Sequence, residues 1–145
     1  MSGRRSSSRS QGLVAVCAAI VIALSACAPT PSPDPALVSL TADALSATRS
    51  AQLGTGLRDD GRMFSTTTHA LLGDMEQKIA DVAREAGLHA PADATDAAYR
   101  DELLKATDDA LDAMHAASAG KDDGEARLDA AADRLEDLEK QGGGS

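Results

Sequence analysis

Two histidines and a few carboxylates are the side chains of this chain whose spacing could organise chemistry. His69 and Glu76 lie seven apart, so a helix would carry both on one face. Asp108, Asp112 and His115 follow at spacings of four and three, a second such stripe. Helical bundles hold paired iron ions with carboxylate-x-x-His motifs that project inward from facing helices. Asp112-Ala-Met-His115 has that outline. Here Asp stands where those sites use Glu, the motif occurs once, and no inward Glu is evident on the flanking segments. His69, Glu76, Asp112 and His115 are thus the residues of a metal-binding alternative. The competing reading leaves both histidines on the surface beside acids. His89, just ahead of Pro91, is expected in an exposed loop.

Other catalytic patterns are scarce. After Cys27 the chain has no cysteine nucleophile, no Gly-rich phosphate loop and no zinc-protease motif. Serines are many, but none sits in a nucleophile elbow. Lys121-Asp-Asp-Gly-Glu125 gathers three acids in a turn without the ordered Asp-x-Asp-x-Asp-Gly loop that calcium uses. It reads better as the cap of a following helix. The folded part is expected to be non-catalytic and to hold no cofactor.

The most specific chemistry lies at the other end. Arg4, Arg5 and Arg9 make a basic start, Leu13 to Leu24 is an apolar run, and Ser25-Ala26 precede Cys27. Basic, apolar, small is the order of a secretory signal. Twelve helical residues span about 18 Å, well short of the ~30 Å a membrane span needs. Leu24-Ser25-Ala26-Cys27 resembles the lipobox of bacterial lipoprotein precursors. That resemblance covers residues 1–27 and implies diacylglycerol on the Cys27 thiol, then cleavage between Ala26 and Cys27. It also implies attachment to the cell membrane on its extracytoplasmic side. Cys17 would leave with residues 1–26 and Cys27 would be capped by lipid, so no thiol would remain for a disulfide or a metal. Ala28 to Pro35 then holds four prolines in eight residues. Such a spacer is extended, roughly 3.1 Å per residue.

Composition narrows the partners. Three of the 14 basic residues precede Cys27, so the remainder carries 11 against 23 acidic ones, a net charge of −12. This charge repels nucleic-acid phosphate and anionic headgroups, and one Phe and one Tyr offer no platform for stacking bases. Lipid is then the membrane attachment, and an envelope protein the expected partner.

The elements that must position these residues are helical throughout, with no alternating run to suggest a strand. The first helix is expected from Pro35 or Ala36, capped by Asp34, to Asp60 with Gly61 as its stop; an earlier end near Leu53 is the alternative. Its face is Leu37, Leu40, Ala44, Ala47 and Ala51, with Val38 and Leu45 beside it and Leu53 and Leu57 continuing the spacing. The second runs from Ser65 to Ala86 and stops at Gly87, with a seam of Thr68, Leu72, Met75, Ile79, Val82 and Ala86. The third, capped by Asp93 or Thr95, carries Tyr99, Leu103, Ala106, Ala110, Ala113 and Ala117, flanked by Leu104, Leu111 and Met114, and ends at Gly120. The fourth opens at Asp122 with Glu125 as a capping box and buries Leu128, Ala131, Leu135 and Leu138. Acid-then-base pairs four apart (Asp74–Lys78, Asp101–Lys105, Asp123–Arg127, Glu136–Lys140) mark solvated faces.

The expected architecture is all-α: a small antiparallel four-helix bundle over residues 36–140. It follows a signal peptide at 1–26 and a linker at 27–35, and precedes a flexible tail at 141–145. A three-helix core with a loose fourth helix is the alternative. The function this suggests is a membrane-anchored extracytoplasmic lipoprotein whose acidic helical domain has an interaction or structural role.

Overall fold

The computed structural model describes residues 32–143; the segment expected to be a signal peptide, Cys27, the start of the expected spacer and the last two residues lie outside them. Four helices follow one another: α1 (Pro35–Asp59), α2 (Ser65–Leu88), α3 (Ala94–Ser118) and α4 (Gly124–Gly143). Among the described residues there is no strand. Ser32–Ser145 forms a compact unit of its own, and it contains the hydrophobic core of the described residues.

Pairings across the seams fix the topology. Gly54 of α1 lies against Leu71 of α2. His69 of α2 meets Ser118 of α3, Glu102 of α3 meets Arg134 of α4, and Gln52 of α1 meets Asp129 of α4. Rising numbers on one helix meet falling numbers on the next, so neighbours are antiparallel and the bundle runs up-down-up-down. The fourth helix packs on both α1 and α3, which rules for the four-helix arrangement over the three-helix one. Across the diagonals, α1 and α3 touch; α2 and α4 do not. Side-chain size accounts for this. The buried faces of α1 and α3 are mainly Ala and Thr, which allow close backbones, whereas α2 and α4 contribute Leu, Ile, Met and Val.

Helix ends follow local chemistry. The Asp34 side chain accepts from Ala36 N–H at 2.8 Å and Asp93 accepts from Thr95 and Asp96 N–H at 2.8 and 2.9 Å, satisfying donors that no helical carbonyl reaches. Gly61 and Gly120 take φ of 69° and 68°. The residue after each glycine donates its N–H back across the last turn, Arg62 to Leu57 O at 2.8 Å and Lys121 to Ala116 O at 3.0 Å. This double reversal needs the left-handed conformation that glycine adopts without penalty.

Several expectations need correction. Gly87 does not stop α2; the helix runs to Leu88, and His89 closes it in extended conformation ahead of Pro91. The capping box at Asp122 and Glu125 is not made, and α4 begins at Gly124. Its far end continues to Gly143, with Gly142 against Val38 and Tyr99. Leu53 is 65% exposed and Leu57 half-buried, because α1 turns Thr48, Ala51, Gly54 and Thr55 to the core instead. Thr41, Thr48 and Thr55 are buried. Each hydroxyl donates to the carbonyl one turn earlier, at 3.0, 2.9 and 3.2 Å, so burial leaves none of these three hydroxyls unmet. Of the charge pairs expected four apart, Asp123–Arg127 and Glu136–Lys140 form at 2.7 and 2.8 Å. Asp101 turns to Arg100 instead.

Tyr99 is the aromatic in the core. Its hydroxyl lies 3.1 Å from both Thr41 Oγ1 and Leu138 O, joining α1, α3 and α4. Burial raises its pKa above the ordinary phenol value; the Thr41 hydrogen bond opposes this and the nearby Glu139 charge adds to it. The folded state therefore holds the phenol proton more tightly than the unfolded chain does. The stability this contributes is fully present below the unfolded value of about 10 and is lost as pH rises past it. Since the chain has one Tyr, phenolate absorbance reads this group alone. The expected midpoint lies above 10 in buffer and falls to about 10 in concentrated urea; coincident midpoints would refute the buried arrangement.

Candidate functional site

The residues singled out for metal chemistry are divided among three places. His115 Nε2 on α3 lies 3.6 Å from Glu76 Oε2 on α2, so this pair meets across the α2–α3 seam. His69 lies on that seam too, but its Nδ1 is 3.1 Å from Ser118 Oγ. Asp112 is exposed and lines a shallow groove between α3 and α4, near Asp109, Arg127 and Arg134. Arg127 and Arg134 there make it a poor place to add a cation. Among the described residues no three His, Cys, Asp or Glu side chains come together as metal ligands.

A denser arrangement forms where the chain joins the bundle. Asp96 is a buried carboxylate at the start of α3. One oxygen accepts the backbone N–H of Asp34 at 2.8 Å, across 62 residues, and the other that of Ala92 at 3.2 Å. Asp34 in turn caps α1 and places its second oxygen 3.4 Å from His89 Nε2. Arg100 donates to the His89 carbonyl at 3.4 Å. His89 is therefore not the exposed loop residue expected: its ring is largely covered, and Nε2 is buried without a hydrogen bond. Together these bonds clamp the first helical turn to the α2–α3 connection. Asp96 was not anticipated. Its signal was an acid three residues after a helix cap, but its partner lies too far along the chain for that spacing to reveal.

Exposed large apolar side chains mark both ends. Phe64, 83% exposed, sits in the α1–α2 turn, at the end of the bundle away from Ser32; Leu88, 80% exposed, sits at the clamped end.

Three of the four seams are bridged by side chains. Arg134 joins α4 to Glu102 at 2.9 Å and to Asp109 of α3. Arg49 pairs with Glu136, and Gln52 donates to Asp129 at 2.7 Å, between α1 and α4. Lys140 first, then Arg49, hold the Glu136 carboxyl below the usual carboxylate range. The α2–α3 seam has the two histidine contacts. Among the described residues the α1–α2 seam has no such bridge along its length. Among the described residues, too, no helix is long and apolar enough to cross a membrane. No protein-family model, curated protein or solved structure matches the chain.

Proposed function

We propose that the protein is a bacterial lipoprotein, held on the extracytoplasmic side of the cell membrane by lipid on Cys27. Its bundle acts as a non-catalytic interaction module. The observation that carries this is the order of segments: basic start, apolar run, Leu24-Ser25-Ala26-Cys27, proline spacer, then a bundle. The clamp around Asp34, which fixes the first turn of α1, supports it as a device that keeps the start of the bundle folded. The acidic surface suits protein contact better than contact with phosphate or anionic lipid.

Cys27→Ala is the decisive change. The expected result is loss of metabolic lipid labelling, retention of the signal segment, and absence of the processed membrane form in fractionated cells. Labelling that survives the substitution would remove the anchor. Crosslinking of the native protein in intact cells tests the interaction role, which fails if no partner is captured reproducibly.

The metal-binding alternative keeps one favourable observation, the His115–Glu76 contact. A metal there would need a third ligand from outside the residues described, so the interaction reading is preferred.

A further inference from the structure

Toward the clamped end, the unbridged α1–α2 seam opens into a groove. Its middle, about 300 Å³, has a floor of Leu40, Ala47 and Val82. It continues toward the clamped end as a second hollow of about 480 Å³. The two share Leu40, Asp43 and Glu85, and the second is bordered by the exposed Leu88. The cause is local: Ser39, Ser46 and Ser50 on α1 are too small to meet α2 across the seam. Asp43 and Glu85 form the rim, and among the described residues neither has an ion pair or side-chain hydrogen bond. Lys78, at the other end of the groove, also lacks one. Asp81 is engaged by Arg84 at 2.8 Å.

We infer that this groove is a docking site for a basic amphipathic helix of a partner protein. A groove between two antiparallel helices, with Leu40 and Leu88 as its accessible apolar contacts, takes the apolar stripe of a third helix through anchors at i, i+3 and i+4. Charge selects which helix. Asp43 and Glu85 are uncompensated carboxylates on a domain of net charge −12, so an acidic or neutral helix gains nothing at the rim. A Lys- or Arg-bearing one is steered in from a distance and paired on arrival. Leu88 adds an exposed apolar contact at the border, which gives a role to a large apolar side chain held in water at the end of α2. The inference rests on the interaction role proposed above and gives that role a surface and a partner chemistry.

The test uses residues 32–145, a compact unit that holds the core of the described residues. The probe is a dye-labelled synthetic peptide of about five helical turns, Lys on one face and Leu on the other, read by fluorescence anisotropy. Saturable binding is expected. Asp43→Asn and Glu85→Gln should each weaken it about threefold and together about tenfold, as partly screened rim charges do. Leu88→Ser should weaken it as well. A control pair, Asp122→Asn with Asp123→Asn, removes equal charge at the far end and should change little. Equal loss in the control pair would mean unspecific charge attraction and overturn the inference. So would equal binding of a peptide with Glu in place of Lys, or no saturation. Self-association abolished by Leu88→Ser would give the groove to a second copy and overturn it too. Because Cys27 is absent from this segment, a failed groove is distinguished from a failed anchor.

Discussion

Leu103→Ala should cost about 3–4 kcal/mol of folding stability, within the range for emptying a fully buried leucine site. Leu103 is completely buried on α3, and α3 touches all three other helices. The void is hard to refill. Its helix and α1 face the core mainly with Ala and Thr, and Ala has no rotamer to swing inward while each buried Thr is tied to its own helix. Stability of a domain this size is about 5–15 kcal/mol, so the variant loses a large share. The melting temperature should fall by roughly 15 °C or more, at about 4–8 °C per kcal/mol. Far-ultraviolet circular dichroism on heating measures this. Leu53→Ala, at an exposed position of α1, should change it little. Equal effects at Leu103 and Leu53 would contradict the packing described.

That contrast shows where the sequence is legible and where it is not. The stripe on α2 from Thr68 to Ala86 is buried residue for residue, because large aliphatics at spacings of three and four leave one solution. On α1 the same rule promoted Leu53, while the helix buries Thr48, Gly54 and Thr55. Residue type misleads there: a Thr whose hydroxyl bonds its own helix is cheap to bury, and a Gly admits Leu71 of the neighbouring helix. Charge behaves likewise. Pairs four apart on one helix can be read from spacing, as Asp123–Arg127 shows. Arg134 between Glu102 and Asp109 cannot, since it depends on which helix lies opposite. The Asp96–Asp34 clamp is invisible for the same reason. The metal candidates looked plausible one helix at a time, but placing α2 beside α3 joined His115 to Glu76 and left Asp112 on another seam.

Gly124→Ala should destabilise the bundle by about 2 kcal/mol, the scale of forcing extra volume into a packed site. Propensity alone gives the opposite sign, since Ala is favoured over Gly in helices by up to ~1 kcal/mol. The neighbours decide. A Cβ on Gly124 would lie 2.7 Å from Ala117 Cα, 2.8 Å from Ala117 N and 3.1 Å from Ala116 C. All three are backbone atoms of the last turn of α3, where the Gly120 reversal already fixes the chain. No side chain can rotate aside, so the α3–α4 turn must open and Leu128, one turn along, must shift in the core. Gly73 supplies the opposite case: it is exposed in the body of α2, with nothing within 4 Å of an added Cβ. Gly73→Ala should therefore stabilise by about 0.5–1 kcal/mol. Urea unfolding of both variants gives the comparison directly. Opposite signs mean that α4 begins in tight contact with α3. A stabilised Gly124→Ala would mean that the close approach is absent and that α4 starts freely in solvent.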